Sequence, residues 1–331
     1  VTDYARESHA AGIVPVFSYY QILQSEPGVR DAQPAGVFAN LSDAATMSAY
    51  YADLKLFFER AASAGGMMVL HVEPDLWGFL EQRAKKGDAR SVFVRVASSG
   101  FADVTGLPDN AAGFAQAIVR LRDRYAPNVL LAYHLSTWAT GTDVHYAHPS
   151  QARAEALGAR AGAFELSLGA TFDMAFTDLA DRDAAFKEFV DHDGGASWYS
   201  PTDYLRAAGY VGSFVRTARL RAVLWQLPLG NTKMRAENNT WDHYQDNKVE
   251  WLLDDPSGQH LGQLMQAGVV AALFGRGADG ATCACDADHD GVTDPPPVDG
   301  NGRSSLNSDD DGGYFKERAA AFYASAPVPL P

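Results

Sequence analysis

The sequence is short of cysteine, of basic residues and of long apolar runs. Its 331 residues include two cysteines, Cys283 and Cys285, too few for a disulfide-built scaffold and too close together to bridge without strain. They read as free or locally bridged thiols. Basic residues number 27 against 41 acidic, a formal charge of −14. That balance argues against a surface that tracks nucleic-acid phosphates or anionic lipid, because both need clustered Lys and Arg. No run approaches the ~20 apolar residues that span a bilayer. The start at Val1 carries neither Met nor a charged-then-apolar signal, so it reads as processed or truncated. The GxxxxGK[ST] loop that cradles phosphates is missing, as are the HExxH pair of zinc hydrolases and the GxSxG elbow of serine hydrolases.

What the chain does have is core-forming material, 47% hydrophobic with 6 Trp, 14 Tyr and 17 Phe. This composition excludes a disordered or collagen-like chain and predicts a soluble globular protein. Apolar, β-branched runs at 12–20, 67–72, 129–134, 171–176, 222–227 and 269–274 alternate with helical patterns. Met47, Tyr51, Leu54, Phe58 and Ala61 form one helical stripe, and Phe114, Ile118, Leu121 and Tyr125 another. The segments 91–97 and 163–168 are further strand candidates of ambiguous period. Alternation of this kind predicts an α/β fold with a parallel sheet, a (β/α)8 TIM-like barrel, complete or irregular, over residues 1–275. An Asp-, Gly- and Pro-rich loop follows at 276–313, then a terminal helix and tail at 314–331 that would close the barrel, with Phe315, Ala319 and Phe322 on one stripe.

Chemistry-bearing residues recur where candidate strands end. After 67–72 comes His71-Val72-Glu73-Pro74-Asp75-Leu76-Trp77; period-two alternation would point His71, Glu73 and Asp75 to one side. In a barrel the C-terminal strand ends carry the active site, so Glu73 there suits acid–base work, while Asp75 also fits a helix N-cap. A second strand end offers Asp173 and Asp178, running on to Asp181 and Asp183, which suit a helix first turn. The others offer Tyr19, Tyr20 and Gln21; His134, Ser136 and Trp138; and Trp225, Gln226 and Asn231, followed by a polar aromatic loop with Trp241. Aromatic faces stack on sugar rings while amides and carboxylates bind hydroxyls, so the mixture suits a carbohydrate. Trp251, on a helical stripe with Tyr244 and Val249, reads as core.

The strand leading into His71-Val72-Glu73-Pro74-Asp75, with Trp225-Gln226 on a later strand and aromatic loops, resembles the (β/α)-barrel glycoside hydrolases of the cellulase and β-glucanase kind, from Gly12 to about Arg276. The resemblance implies cleavage of a polysaccharide, a β-glucan such as cellulose, by two carboxylates, one protonating the leaving oxygen and the other acting as nucleophile or activating water. Glu73 would be the acid, with burial raising its pKa, and Asp178 its partner, with Asp75 and Asp173 as the other candidates. The chain lacks the Asn-Glu pair that many retaining barrel enzymes carry.

Residues 279–311 hold nine Asp and one Arg, a local −8 that leaves −6 for the rest. Within them Asp286, Asp288 and Asp290, then Gly291, Val292 and Asp294, match the one-three-five, Gly-six, carbonyl-seven, nine spacing of a calcium loop. The loop resembles those of dockerin modules and thrombospondin type 3 repeats. Pro297 stands where a bidentate Glu normally closes the shell, leaving Asp309, Asp310 or Asp311 as substitutes. A structural Ca2+ favours a secreted, extracellular enzyme, expected as a monomer without nucleic-acid or membrane partners. Two other readings stay open: a metal-dependent hydrolase using His71, Glu73, His134 and Asp178 as ligands, and a sugar-binding barrel without catalysis.

Overall fold

A computed structural model describes residues 1–180, 182–234, 237, 239, 244–275 and 313–325. Strands β1 (Val16–Tyr19), β2 (Met68–Val72), β3 (Val129–His134), β4 (Met174–Thr177), β5 (Ala222–Leu227) and β6 (Val269–Phe274) follow one another in chain order in the sheet. The pairs β1–β2, β2–β3, β3–β4 and β5–β6 are parallel. Helices α1 (Thr2–Ala10), α2 (Ala35–Ser42), α3 (Ala44–Ala64), α4 (Leu76–Arg83) and α5 (Ala111–Tyr125) lie between the first three strands and before them. Beyond them come α6 (Gln151–Ser167), α7 (Ala184–Phe189), α8 (Pro201–Ala218), α9 (Lys248–Leu253), α10 (Gln259–Gln266) and α11 (Tyr314–Ala324).

The architecture is α/β and parallel, as expected, but the described residues hold six strands rather than the eight of a full (β/α)8 barrel. The two ambiguous segments explain the difference. Val92, Val94 and Val96 do alternate inward, yet the amides of Arg95 and Val96 go to Leu41 O at 2.9 Å and Asp109 Oδ1 at 2.7 Å, not to a neighbouring strand. Segment 163–168 runs through the end of α6, where Leu157, Ala161, Phe164 and Leu168 are buried at helical spacing.

The chain falls into two compact units. The first comprises Val1–Asp143, Ala156–Thr177 and Ser213–Arg221. Its α3 starts where the Asp43 carboxylate accepts from Thr46 N at 2.8 Å and stops at Gly65, whose φ of 71° suits a residue without Cβ. The stripe Met47, Tyr51, Leu54, Phe58 and Ala61 is wholly buried. Helix α5 starts on Asn110, which accepts from Gly113 N at 2.9 Å, and buries Phe114, Ile118 and Leu121. On the sheet, Phe17 and Tyr19 of β1 turn to α3, meeting Phe57 and Tyr50 edge to face. Register places Ser18 beside His71, His71 beside Ala132, and His134 beside Phe176. Alternation therefore gives Ser18, His71 and His134 to the other face of the sheet.

The second unit comprises Val144–Glu155, Asp178–Gly212 and Ala222–Pro331. In it Trp251 stacks between Tyr204 at 3.8 Å and His260 at 4.4 Å, which makes it core as the sequence predicts. Phe315 of α11 packs on Phe274 of β6 at 4.6 Å.

Candidate functional site

The C-terminal ends of β1, β2 and β3 gather polar groups within the first unit. Strand β2 stops at Val72, and the next residues leave extended geometry: Glu73 has φ 47° and Asp75 φ 67°. Left-handed backbone costs a non-Gly residue on the order of 1–2 kcal/mol, so it persists only where side-chain contacts hold it. The period-two expectation for His71, Glu73 and Asp75 fails here because the strand does not continue.

The Glu73 carboxylate, 0% exposed, accepts from Gln21 N at 3.0 Å and from Ile22 N at 3.2 Å. Asn40 fixes that receiving loop, donating to Ile22 O at 2.7 Å and accepting from Gly28 N at 2.6 Å. Burial pushes the Glu73 pKa up to about 8, while the two backbone donors and the nearby Tyr50 hydroxyl pull the other way. Tyr50 Oη is buried beside Glu73 without a well-formed hydrogen bond. In this state Glu73 meets no solvent-borne ligand; it locks the turn after β1 to the end of β2.

Asp75 is half-buried and stands at the N-cap position of α4 without a side-chain cap bond. Its Oδ2 instead accepts from the Tyr20 hydroxyl at 2.9 Å. Burial and Asp75 raise the Tyr20 pKa, so the phenol keeps its proton and donates. Asp75 also acts electrostatically on His134. His134 Nδ1 and His71 Nε2 lie 3.0 Å apart, and His71 Nδ1 is 3.3 Å from Ser18 Oγ. Both rings are buried, at 0% and 2% exposure, and His71 lies 4.6 Å from the Phe176 ring. Desolvation lowers both pKa values, His134 to about 4, so both imidazoles are neutral near pH 7.

The other predicted sugar contacts divide by burial. Gln21 is exposed, Tyr20 and Trp138 are half-buried, and Ser136 is buried. Trp138 lies 4.8 Å from Phe79 and against Gly78, where a Cβ would meet its ring at 2.7 Å. Trp77 is instead fully buried, its indole donating to Val72 O at 2.8 Å and its ring packing on Tyr133 and Phe114, which makes it core rather than a sugar platform. Tyr19 turns into the α3 layer, donating to Asp53 at 2.7 Å. Asp173 precedes β4, at the opposite end of the parallel strands from Asp75, and accepts from Leu131 N at 2.7 Å and Arg122 at 2.8 Å. It is a structural tie.

Asp178, Trp225, Gln226 and Asn231 belong to the second unit. The Asp178 carbonyl faces His145 Nε2 at 2.9 Å. Trp225 and Gln226 are half-buried, and fully buried Asn231 closes a turn by accepting from Lys233 N and Met234 N. Trp241 and the calcium-loop residues Asp286, Asp288, Asp290, Val292 and Asp294 lie outside the described residues. Among the described residues no three His, Cys, Asp or Glu side chains converge as a metal ion needs.

Sequence reasoning missed Glu81 and read Asp183 as a first-turn acid of a helix; both are buried. Glu81 on α4 has both oxygens buried without hydrogen-bond partners, with Arg160 Nε 4.0 Å away, and burial pushes its pKa up to about 7. In the second unit Asp183 accepts from Gly230 N at 3.2 Å, while Asp246 accepts from Ala184 N at 2.8 Å and Lys248 Nζ at 3.0 Å. Burial and Asp246 push the Asp183 pKa well up. An acid at a helix start looks like an ordinary cap in sequence; only its burial distinguishes it. No protein-family model matches this sequence, and no curated protein matches it.

Proposed function

We propose that this chain is a glycoside hydrolase acting on a polysaccharide of the β-glucan class, with Asp75 as the carboxyl that meets the glycosidic oxygen. The observation that carries this reading is the end of β2. Two residues there hold left-handed backbone, and the second presents a half-buried carboxylate that is bound to a phenol rather than spent on capping its helix. Strain retained at a strand end is a common property of reacting sites. Exposed Gln21, half-buried Tyr20 and the Trp138–Phe79 pair on the same unit supply amide, phenol and ring faces suited to a sugar. Glu73, sealed under the turn, positions Gln21 rather than touching substrate.

The test is reducing-end release from a panel of β-glucans by wild type, Asp75→Asn and Glu73→Gln, each with and without a chelator. Loss of a general acid lowers turnover about 10²–10⁴-fold, and that loss is expected for Asp75→Asn. Near-wild-type release is expected for Glu73→Gln at neutral pH. A folded Asp75→Asn protein with wild-type rates refutes the assignment. Glucan binding without release points to a non-catalytic binding barrel, and abolition by chelator to the metal-dependent reading.

A further inference from the structure

Ser18 Oγ lies 3.3 Å from His71 Nδ1, and His71 Nε2 lies 3.0 Å from His134 Nδ1. The three side chains come from the adjacent parallel strands β1, β2 and β3. Ser18 is exposed, while both rings are buried. A hydroxyl in solvent needs no imidazole to satisfy it, and a buried imidazole pair is a poor packing choice because each ring nitrogen must offset lost hydration. The line instead has the parts of an activated nucleophile. It offers a hydroxyl that substrate can reach, a ring within hydrogen-bond distance to take its proton, and a second group that orients the ring. The Phe176 ring, 4.6 Å from His71, packs against the imidazole.

Two further features suit acyl transfer. Desolvation, then His134, lowers the His71 pKa well below its ordinary 6.5, so near neutrality the ring is uncharged. With the His71 proton on Nε2, donating to His134 Nδ1, the lone pair on Nδ1 faces the Ser18 hydroxyl. Val69 N and Glu73 N donate to Pro15 O and Tyr19 O at 2.9 and 2.6 Å, which sets residues 15, 17 and 19 toward β2 and aims the Ser18 amide at the opposite edge of β1. Among the described residues β1 ends the strand order of the sheet. The Ser18 amide is therefore not spent on a strand ladder and can donate to an oxyanion formed on Ser18.

We propose that Ser18 is the nucleophile of a second activity, hydrolysis of carboxylic esters, with His71 as its base and His134 as the residue that positions His71. The activity does not depend on glucan cleavage. The sequence lacks the GxSxG elbow, but such a constellation is recognised by geometry and roles rather than by its place in the chain. Ser18 Oγ attacks the ester carbonyl carbon as its proton passes to His71 Nδ1, and the carbonyl π pair moves onto oxygen. Collapse of that oxyanion reforms the carbonyl and breaks the bond to the alkoxy oxygen, which leaves as the alcohol with the proton from His71 Nδ1. Water then attacks the acyl-Ser18 and gives a proton to His71 Nδ1. The second collapse breaks the acyl–Oγ bond, returns that proton to Oγ and releases the acid. Ester and water become acid and alcohol, and the site is restored. His71 is charged only between these transfers, with its Nε2 proton held by His134 throughout. A neutral imidazole stabilises that charge less than the carboxylate of a Ser-His-Asp triad does, which selects esters, whose alkoxide departs readily, over amides.

The first test is release of p-nitrophenol from p-nitrophenyl acetate by wild type, Ser18→Ala, His71→Asn, His134→Phe and His134→Asn. An early burst is expected for wild type, with kcat lower by about 10²–10⁴-fold in Ser18→Ala and His71→Asn. His134→Phe should lower kcat with KM unchanged, and His134→Asn, whose amide oxygen takes the place of Nδ1, should recover most of it. The wild-type rate should hold as pH falls to 6.5, where ordinary exposed imidazoles are half protonated. Wild-type rate in Ser18→Ala assigns the hydrolysis to surface groups and overturns the proposal. Ser18→Ala changes an exposed side chain and keeps the test open if the buried-ring variants do not fold.

The second test needs no turnover. A fluorophosphonate exchanges its P–F bond for a P–O bond to an activated serine, and peptide mass spectrometry locates the adduct. Label on Ser18 that is lost in folded His71→Asn is expected. An unlabelled Ser18, or one labelled as fast without the ring, shows that His71 does not activate the hydroxyl, and the proposal falls.

Discussion

Replacing Glu73 by glutamine isolates the proton that burial forces onto this carboxyl. The side chain is 0% exposed, and its pKa of about 8 stands against an ordinary 4.5. A folded state that binds a proton more tightly than the unfolded chain is favoured at low pH and loses that advantage as pH rises from 4.5 through 8. At about 1.4 kcal/mol per pH unit, the wild type should lose on the order of 4 kcal/mol between pH 5 and 8 from this group alone. Glutamine does not titrate; its carbonyl can still accept from Gln21 N or Ile22 N, and its amide can donate to the unpartnered Tyr50 hydroxyl. Urea unfolding of both proteins at intervals from pH 5 to 9 gives the stability difference directly, followed through the transition of the first unit. Near pH 5 the two should agree within about 1 kcal/mol, and above pH 8 the variant should be the more stable by several. A difference that stays level across that range would mean that the backbone donors keep Glu73 ionised, and the reasoning from desolvation would be refuted.

Gly78→Ala places a Cβ 2.7 Å from the Trp138 ring and 3.0 Å from Ser136 Cβ; it should change tryptophan fluorescence and weaken glucan binding while far-ultraviolet circular dichroism holds. Asp173→Asn weakens ties to Arg122 and Leu131 N at a side chain 30% exposed, so melting should show a loss on the order of 1 kcal/mol with glucan release intact. Loss of release would return Asp173 to the reacting groups. Glu81→Met removes a carboxyl whose two oxygens have no hydrogen bond and whose pKa rises to about 7. The wild type therefore loses stability as pH rises from 4.5 through 7, and the variant should match or exceed it at pH 8 by denaturant unfolding. A variant markedly less stable at pH 8 would show that the Arg160 attraction outweighs the burial of Glu81.

The α/β class, six strands and the buried stripes of α3 and α5 were legible in the sequence because burial repeats with the period of the element that produces it. The grouping of His71, Asp75, Tyr20 and His134 at neighbouring strand ends was legible for the same reason: parallel strands bring their C-terminal ends to one edge. Periodicity carries no information on where a strand's hydrogen bonds go, so Val92, Val94 and Val96 read as a strand although no strand pairs with them. Nor does it tell that Glu73 turns away from the alternation, since the sign of φ at Glu73 and Asp75 depends on amides and a phenol contributed by Gln21, Ile22 and Tyr20, some fifty residues earlier. Trp77 and Trp138 are the same residue type at two strand ends, yet one is core and the other reaches solvent. Residue type and spacing thus determined the layers and the list of candidates. Tertiary structure decided which candidates ionise, which meet solvent and which hold one another, because desolvation and hydrogen-bond partners come from segments distant in the chain.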